Sequence, residues 1–415
     1  MFWPETQPDL KPLKHAAMLN PESLPETTPA DFQFDYIDIG SVTYSKGITE
    51  KQAMVFSDAP SRARKPVKEN DLIISTVRTY LRAIAKIGAS DTGSVASTGF
   101  AVCRPRDGTQ PNYLYYAVHS QPFIEQIVAL STGMSYPAIN PSTLGDIRLP
   151  LPSPSKQTAI ANFLDRETTQ IDGLIEKKGR FIALLKEKRA AVITHAVTKG
   201  VDPAVTMKEG SFKALGQVPA HWDLSPVGRA LKVCKRTVGS RHSDFTLLSL
   251  TKRGIIVRDI SENAGKFPES FDTYQEVRPK DFVFCLFDID ETPRTVGRSE
   301  VSGMITGAYS VFECIDSAYS SFLLYLFLHL DACKGLKPFY TGLRKTIRPP
   351  RFASIRVPFA PPDEAARIVE HIEWQTSRID GLISKTERSI DLLKEKRSAL
   401  ITAAVTGKID VRNAA

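Results

Sequence analysis

The strongest constraint on this chain is that it repeats itself. A shift of 208 residues aligns two segments without a gap, and 20 of 28 positions between 171 and 198 match those at 379–406. Ile171-Asp172-Gly173-Leu174-Ile175 returns as Ile379-Asp380-Gly381-Leu382-Ile383, and Leu184-Leu185-Lys186-Glu187-Lys188-Arg189 returns as Leu392-Leu393-Lys394-Glu395-Lys396-Arg397. Upstream, Ile147-Arg148-Leu149-Pro150 answers Ile355-Arg356-Val357-Pro358, and Thr132-Gly133 answers Thr341-Gly342 after a one-residue adjustment. Farther upstream only a faint likeness is left, between Asn70-Asp71-Leu72-Ile73-Ile74 and Lys280-Asp281-Phe282-Val283-Phe284. A chain of 415 residues, 42% of them hydrophobic, has room for two or three domains with their own cores. The repeat makes two of them divergent copies on one scaffold.

Each copy contains a long helix. Ile171, Leu174, Ile175, Ile182, Leu185, Val192 and Ile193 fall on one stripe at helical spacing, and Ile379, Leu382, Ile383, Ile390, Leu393, Leu400 and Ile401 form its counterpart. Ser155 and Asp363 stand behind prolines as N-caps, and Gly200 and Gly407 are terminators. A helix over about 155–196 would be roughly 60 Å long at 1.5 Å per residue. A stripe of that length needs a partner, and the other copy supplies one as an antiparallel pair. The expected helix-pair interface is Ile171, Leu174, Ile175, Ile182, Leu185, Ile379, Leu382, Ile383, Ile390 and Leu393. Gly173 and Gly381 suggest close backbone approach, with a tolerated surface glycine as the alternative.

The globular regions mix the two element types. Asp35–Ile39, Asp71–Val77, Arg82–Ile87 and Ala96–Cys103 read as strands and Asn112–Leu130 as a helix. In the second region Phe245–Leu250, Gly254–Arg258, Phe282–Phe287 and Ile305–Cys314 read as strands, Ala318–Leu330 as a buried helix, and a short helix opens near Pro226. The expected class is α+β, with two α/β domains and two long helices forming an antiparallel coiled coil. The boundaries are 1–150 for the first domain, 151–200 for the first helix, 201–216 for a connector, 217–356 for the second domain and 357–410 for the second helix.

The net charge of +8 allows contact with a polyanion, and the excess is uneven: residues 1–150 carry 14 basic and 15 acidic groups, residues 216–356 carry 20 and 15. Any binding surface must therefore be local. Cys103, Cys234, Cys285, Cys314 and Cys333 form no CxxC pair, which suits buried thiols in a reducing compartment. With no export signal at Met1–Leu10 and no apolar run of membrane-spanning length, the expected location is the cytoplasm.

Motifs for catalysis are missing. There is no [DN]PP[YF] tetrapeptide for amino methylation. Arg348-Pro349-Pro350-Arg351-Phe352 places a guanidinium where an acceptor is required and reads as a bend before a strand. No glycine-rich loop for S-adenosylmethionine and no GxxxxGK[ST] are present. Asp288, Asp290 and Glu291 read as a loop stabilised by Arg294 rather than a metal site, and no histidine has zinc spacing.

In order, the chain has a variable domain, a helix ending in LLKEKR, a KGVDP connector, Pro219-Ala220-His221-Trp222, a second variable domain and a second helix. This order resembles the specificity subunit of type I restriction-modification enzymes over essentially the whole chain. The resemblance implies that each domain is a target-recognition domain reading one half of an asymmetric, bipartite double-stranded DNA target. It implies that the conserved helices dock two modification (adenine methyltransferase) subunits and, through them, restriction (motor-nuclease) subunits. S-adenosylmethionine, ATP and Mg would belong to those partners, and this chain would be non-catalytic, with no metal. The alternatives are a coiled-coil interaction scaffold that binds no DNA, and an enzyme with an unrecognised centre.

Arginine and lysine to phosphate or guanine are the usual DNA contacts. The expected DNA-binding groups are Arg62, Arg64, Lys65, Arg78, Tyr80 and Arg82 in the first domain. In the second they are Lys252, Arg253, Arg258, Arg294, Arg298, Arg344, Lys345 and Arg348.

Overall fold

The computed structural model describes residues 10–44, 46–258 and 270–411. The chain divides into two compact units, one made of residues 1–179 and 387–415, the other of residues 180–386. Each long helix therefore contributes one half to each unit. This division cuts across the expected domain boundaries, which place whole helices between domains.

In the first unit a four-stranded antiparallel sheet runs in the order Ala17–Leu19, Phe100–Pro105, Leu72–Ser75, Ile84–Lys86. The second unit builds the same sheet from Leu231–Cys234, Ser310–Cys314, Phe282–Phe284 and Val296–Arg298. Each unit also closes its domain with a two-stranded ribbon, Leu10–Pro12 on Arg148–Pro150 and Asp223–Pro226 on Arg356–Phe359. The copies diverge beside this common sheet. The first has a second sheet in the order Gln52–Val55, Gln33–Ile37, Val95–Ser97, Ala63–Pro66; the second has two separate strand pairs, Leu248–Thr251 with Gly254–Val257 and Gln275–Val277 with Gly303–Ile305.

The faint likeness around Asn70 and Lys280 marks one structural device made twice. Both residues take a left-handed backbone, φ 69° and 72°. The aspartate after each is buried, and its carboxylate accepts the N–H two residues upstream of the turn residue, Lys68 for Asp71 at 2.9 Å and Arg278 for Asp281 at 2.8 Å. Each aspartate also holds a buried-side arginine: Arg104 grips Asp71 through two parallel bonds of 2.9 and 2.8 Å, and Arg236 pairs with Asp281. Burial pushes the Asp281 carboxyl up from its usual value.

Several elements break where the sequence pattern reads as continuous. The helix expected over 112–130 is two, Pro111–His119 and Gln121–Leu130, because Pro122 starts a new helix and Ser120 turns its hydroxyl back on the Ala117 carbonyl. Ala96–Cys103 splits around Gly99, where a Cβ would lie 2.2 Å from Ile39 Cδ1. Ile305–Cys314 splits into Gly303–Ile305 and Ser310–Cys314. The helix expected near Pro226 is one 3-10 turn, Val227–Arg229, after a strand. The expected bend at Arg348–Phe352 is a short helix, Pro349–Ser354, matching Pro141–Asp146 in the first unit. The connector at 201–216 is itself structured, since its strand Met207–Glu209 pairs antiparallel with Gln217–Pro219 at the head of the second domain.

The long helices are Pro154–Lys199 and Pro362–Val405, 46 and 44 residues. Neither expected N-cap caps. Ser155 and Asp363 lie inside the first turn, and the carbonyls of Ser153 and Pro361 take the first helical N–H bonds. Gly200 and Gly407 end the helices with left-handed φ of 77° and 71°. Glu364 in the second helix's first turn accepts the Trp222 indole N–H at 3.1 Å and meets His221 at 2.7 Å, so the PAHW segment fixes where that helix starts.

Within each unit the helix halves pair antiparallel. In the first, Ile160, Ala161 and Leu164 share a core with Ile401, Ala404 and Val405, and Arg397 pairs with Asp172 at 3.0 Å. In the second, Ile193, Ala196 and Val197 share a core with Ala365, Ile368 and Ile372, and Arg189 pairs with Asp380 at 2.9 Å. The two ion pairs are equivalent under the repeat. Ile171, Leu185 and Ile379 are buried, and Ile175, Ile182, Ile383, Ile390 and Leu393 are half-buried. Leu174 and Leu382, expected in the interface, are each 47% exposed, because one partner helix is narrower than the stripe. Gly173 and Gly381 face open space, so close backbone approach is not what places them.

All five cysteines are free; Cys103 and Cys285 are buried, whereas Cys333 is exposed and Cys234 and Cys314 are half-buried, contrary to expectation. No helix among the described residues is long and apolar enough to cross a membrane.

His119 is fully buried, its Nδ1 on the Tyr115 carbonyl at 2.8 Å and its Nε2 without a partner. Burial pushes its pKa down to about 4. The unfolded chain binds a proton there near pH 6.5, so stability is fully present above that pH and is lost as pH falls toward 4. We expect a loss of about 2 kcal/mol between pH 7 and pH 5. Thermal melts of the wild type and His119→Leu at both pH values check this: the variant should lose less on acidification.

Candidate nucleic-acid interface

In the first unit Arg78, Tyr80 and Arg82 stand on the loop that joins the last two strands of the common sheet. This loop runs from Thr76 to Ala83 and holds the 3-10 turn Thr79–Leu81. Arg78 and Arg82 flank the turn, both in the left-handed region with φ of 50° and 52°. Non-glycine residues avoid that region unless the surroundings hold them there, and such strain concentrates at functional sites. Tyr80 and Leu81 at the turn are 55% and 47% exposed.

A second loop braces the first. Ile139 N–H bonds the Thr76 carbonyl at 2.8 Å, and Thr79 and Ser131 share a hydroxyl bond of 2.8 Å. This second loop, Thr132–Ala138, is closed by two 2.9 Å bonds between its end residues. Its Tyr136 ring carries the Arg78 guanidinium at 5.0 Å, and Arg82 lies over Tyr44 at 5.9 Å. Cation and aromatic ring together suit a phosphate-and-base surface.

The second unit repeats this pairing. Its sheet loop spans Cys285–Thr295, and its bracing loop is Thr341–Thr346, closed by bonds of 3.0 and 3.1 Å between its ends. Ile347 N–H bonds the Leu286 carbonyl at 2.8 Å, the counterpart of Ile139 on Thr76. Arg344 and Arg348 are exposed, while Lys345 ties Glu291 at 3.2 Å and Asp290 at 3.4 Å. The acidic group expected to lean on Arg294 instead leans on Lys345 and Lys337. Arg294 donates to the Lys252 carbonyl at 2.8 Å, which anchors the Thr251–Gly254 hairpin turn where Lys252 and Arg253 are exposed.

Other residues of the expected groups have partners within their own unit. Lys65 spans Asn20 at 2.8 Å and the Phe100 carbonyl at 2.6 Å, and burial lowers its pKa. Arg298 grips Glu300 and donates to Ser320 and Ser321 at 3.2 and 3.0 Å, with its side chain 17% exposed. Arg64 lies on the Phe56 ring at 4.7 Å, and Arg62 donates to Tyr36 at 3.2 Å and pairs with Asp38 at 3.4 Å. Arg258 is half-buried with its N–H on the Leu247 carbonyl at 2.9 Å. The basic clusters at 62–65 and 78–82 thus differ in kind. Charge alone does not point to Met134, Tyr136 and Leu343; the repeated Thr-Gly pair just before Met134 and Leu343 is the signal that could find them.

Comparison with known proteins agrees with this architecture. Residues 31–179 match the family model of the type I restriction modification DNA specificity domain. A type I restriction enzyme specificity subunit, MjaIX, from Methanocaldococcus jannaschii is 28% identical over 221 residues, 51% of this chain and 45% of that protein. The StySPI specificity subunit of Salmonella potsdam is 32% identical over 95 residues, 23% of this chain and 20% of that protein. The chain spans less than half the length of these relatives. Two solved structures share the fold at 19% identity. The HsdS subunit from Thermoanaerobacter tengcongensis covers 98% of this chain and 99% of its own, with a TM-score of 0.52. A chain from a structural study of type I R-M complex assembly and conformational transition covers 98% and 100%, with a TM-score of 0.68. Residues 31–179 are thus similar to the type I restriction modification DNA specificity domain, and the fold of the whole chain is shared with the two solved chains.

Proposed function

We propose that this chain is the sequence-reading subunit of a type I restriction-modification complex, and that each of its two domains reads one half of an asymmetric, split duplex target. The observation that carries this reading is the pair of bracing loops: one backbone device occurs in both domains with different basic and aromatic residues on it. A shared device with unlike side chains suits the reading of two unlike half-sites. Phosphate contacts from Arg78, Arg344 and Arg348 would supply affinity, and their loop neighbours choice.

Chemistry in this reading belongs to partners. Two modification subunits would bring S-adenosylmethionine and methylate adenine, and restriction subunits would bring ATP and Mg. Leu174 and Leu382 at 47% exposure, Leu184 at 62% and Leu392 at 60% form two repeat-related apolar pairs on the helices, and we assign these as docking positions. A cytoplasmic location follows from such a role.

Co-expression with the genomic neighbours, followed by mapping of methylated adenines by single-molecule sequencing, tests the proposal. A split, asymmetric motif that disappears when this chain is deleted is the expected result. Methylation that persists without the chain would overturn it.

A further inference from the structure

We propose that Met134 and Leu343 are apolar wedges that enter the base stack of the bound duplex, one from each domain; the inference rests on the DNA-reading function above. Both side chains are fully exposed, at 102% and 103%, and the next most exposed large hydrophobic among the described residues is Tyr136 at 65%. They occupy the same place in the repeat, directly after Thr132-Gly133 and Thr341-Gly342.

Each sits on a rigid pedestal. The loop ends are cross-bonded, Thr132 with Ala138 and Thr341 with Thr346. Glycine is required at the neck: Gly133 has φ 107° and a Cβ there would lie 3.1 Å from the Tyr136 carbonyl oxygen, while Gly342 has φ 75° and its carbonyl accepts Lys345 N–H at 3.1 Å. A braced loop holds the side chain out in water, where a slack loop would let it fold back.

The surroundings select the occupant. A lone apolar tip is far too small for a stable protein interface, which needs about 800 Å² per partner. It is the right size for a base step, and proteins that kink DNA insert Met or Leu in this way while cations hold the flanking phosphates. Arg78 lies beside the first tip, on Tyr136, and Arg344 and Lys345 directly follow the second.

The test uses the full chain with its modification subunits and duplexes bearing the methylation-mapped target, with 2-aminopurine placed in turn at each purine. Met134→Ser and Leu343→Ser lie wholly in solvent, so equal melting temperatures verify folding. Each should weaken binding about tenfold or more, leave the salt slope unchanged, and abolish the 2-aminopurine fluorescence rise in its own half of the target. Met134→Leu should restore both. Wild-type affinity and fluorescence in the serine variants would overturn the wedge while leaving the reading function intact, as would weakened binding with a flattened salt slope. A wild type that binds no mapped duplex would overturn both.

Discussion

Asp71→Asn is expected to destabilise the first unit by roughly 3 kcal/mol and to lower its melting temperature by roughly 6–12 °C. The carboxylate is 1% exposed and neutralises Arg104 through two parallel bonds while accepting the Lys68 N–H. Asparagine keeps the acceptor for Lys68 but places an N–H₂ against a guanidinium, and an uncompensated charge in a buried site costs more than the pair is worth. Glu22, which accepts from Arg104 at 2.6 Å, offsets part of the loss, so the destabilisation falls at the low end for a broken buried pair. Calorimetry of the full chain checks it. A shift below about 2 °C would show that the aspartate turn is ornamental.

Alanine at Arg78, Tyr80 and Arg82 together should weaken duplex binding by about 100-fold or more and flatten its salt dependence. The paired change Arg62→Ala with Arg64→Ala should leave affinity within about threefold. The difference lies in what the side chains already do. Arg62 and Arg64 pair with Tyr36, Asp38 and Phe56 beside the strand Ala63–Pro66, whereas Tyr80 and Arg78, the latter on the Tyr136 ring, stand on a left-handed turn braced by a second loop. Fluorescence anisotropy across a salt series separates the two sets; equal losses from both would dismiss the loop as the contact surface.

Much of this was legible in the residues. Near-identity over the helices gives their length, their stripe and their antiparallel pairing, because an apolar stripe at helical spacing has few ways to be covered. The repeat even reached Asn70 and Lys280, where a left-handed turn and a buried aspartate left a trace of five residues. Individual contacts were not legible. Lys65 and Arg298 read like any surface cation, and only the fold reveals that Asn20, the Phe100 carbonyl, Glu300 and two serines already hold them. Leu174 and Leu382 show the same limit from the apolar side: periodicity places them on the stripe, but not which part of the stripe a partner covers. Met134 and Leu343 carry no charge, so a search for polyanion contacts passes over them.

In the proposed function, two unlike readers on one duplicated scaffold each determine half of a target. The most direct measurement maps adenine methylation directed by a chain in which residues 223–361 are replaced by a second copy of residues 10–153, leaving Trp222 and Glu364 to hold the second helix. The original asymmetric motif should be lost and a split palindrome should appear, the first domain's half-site facing its own inverted copy. An unchanged asymmetric motif would contradict the proposal.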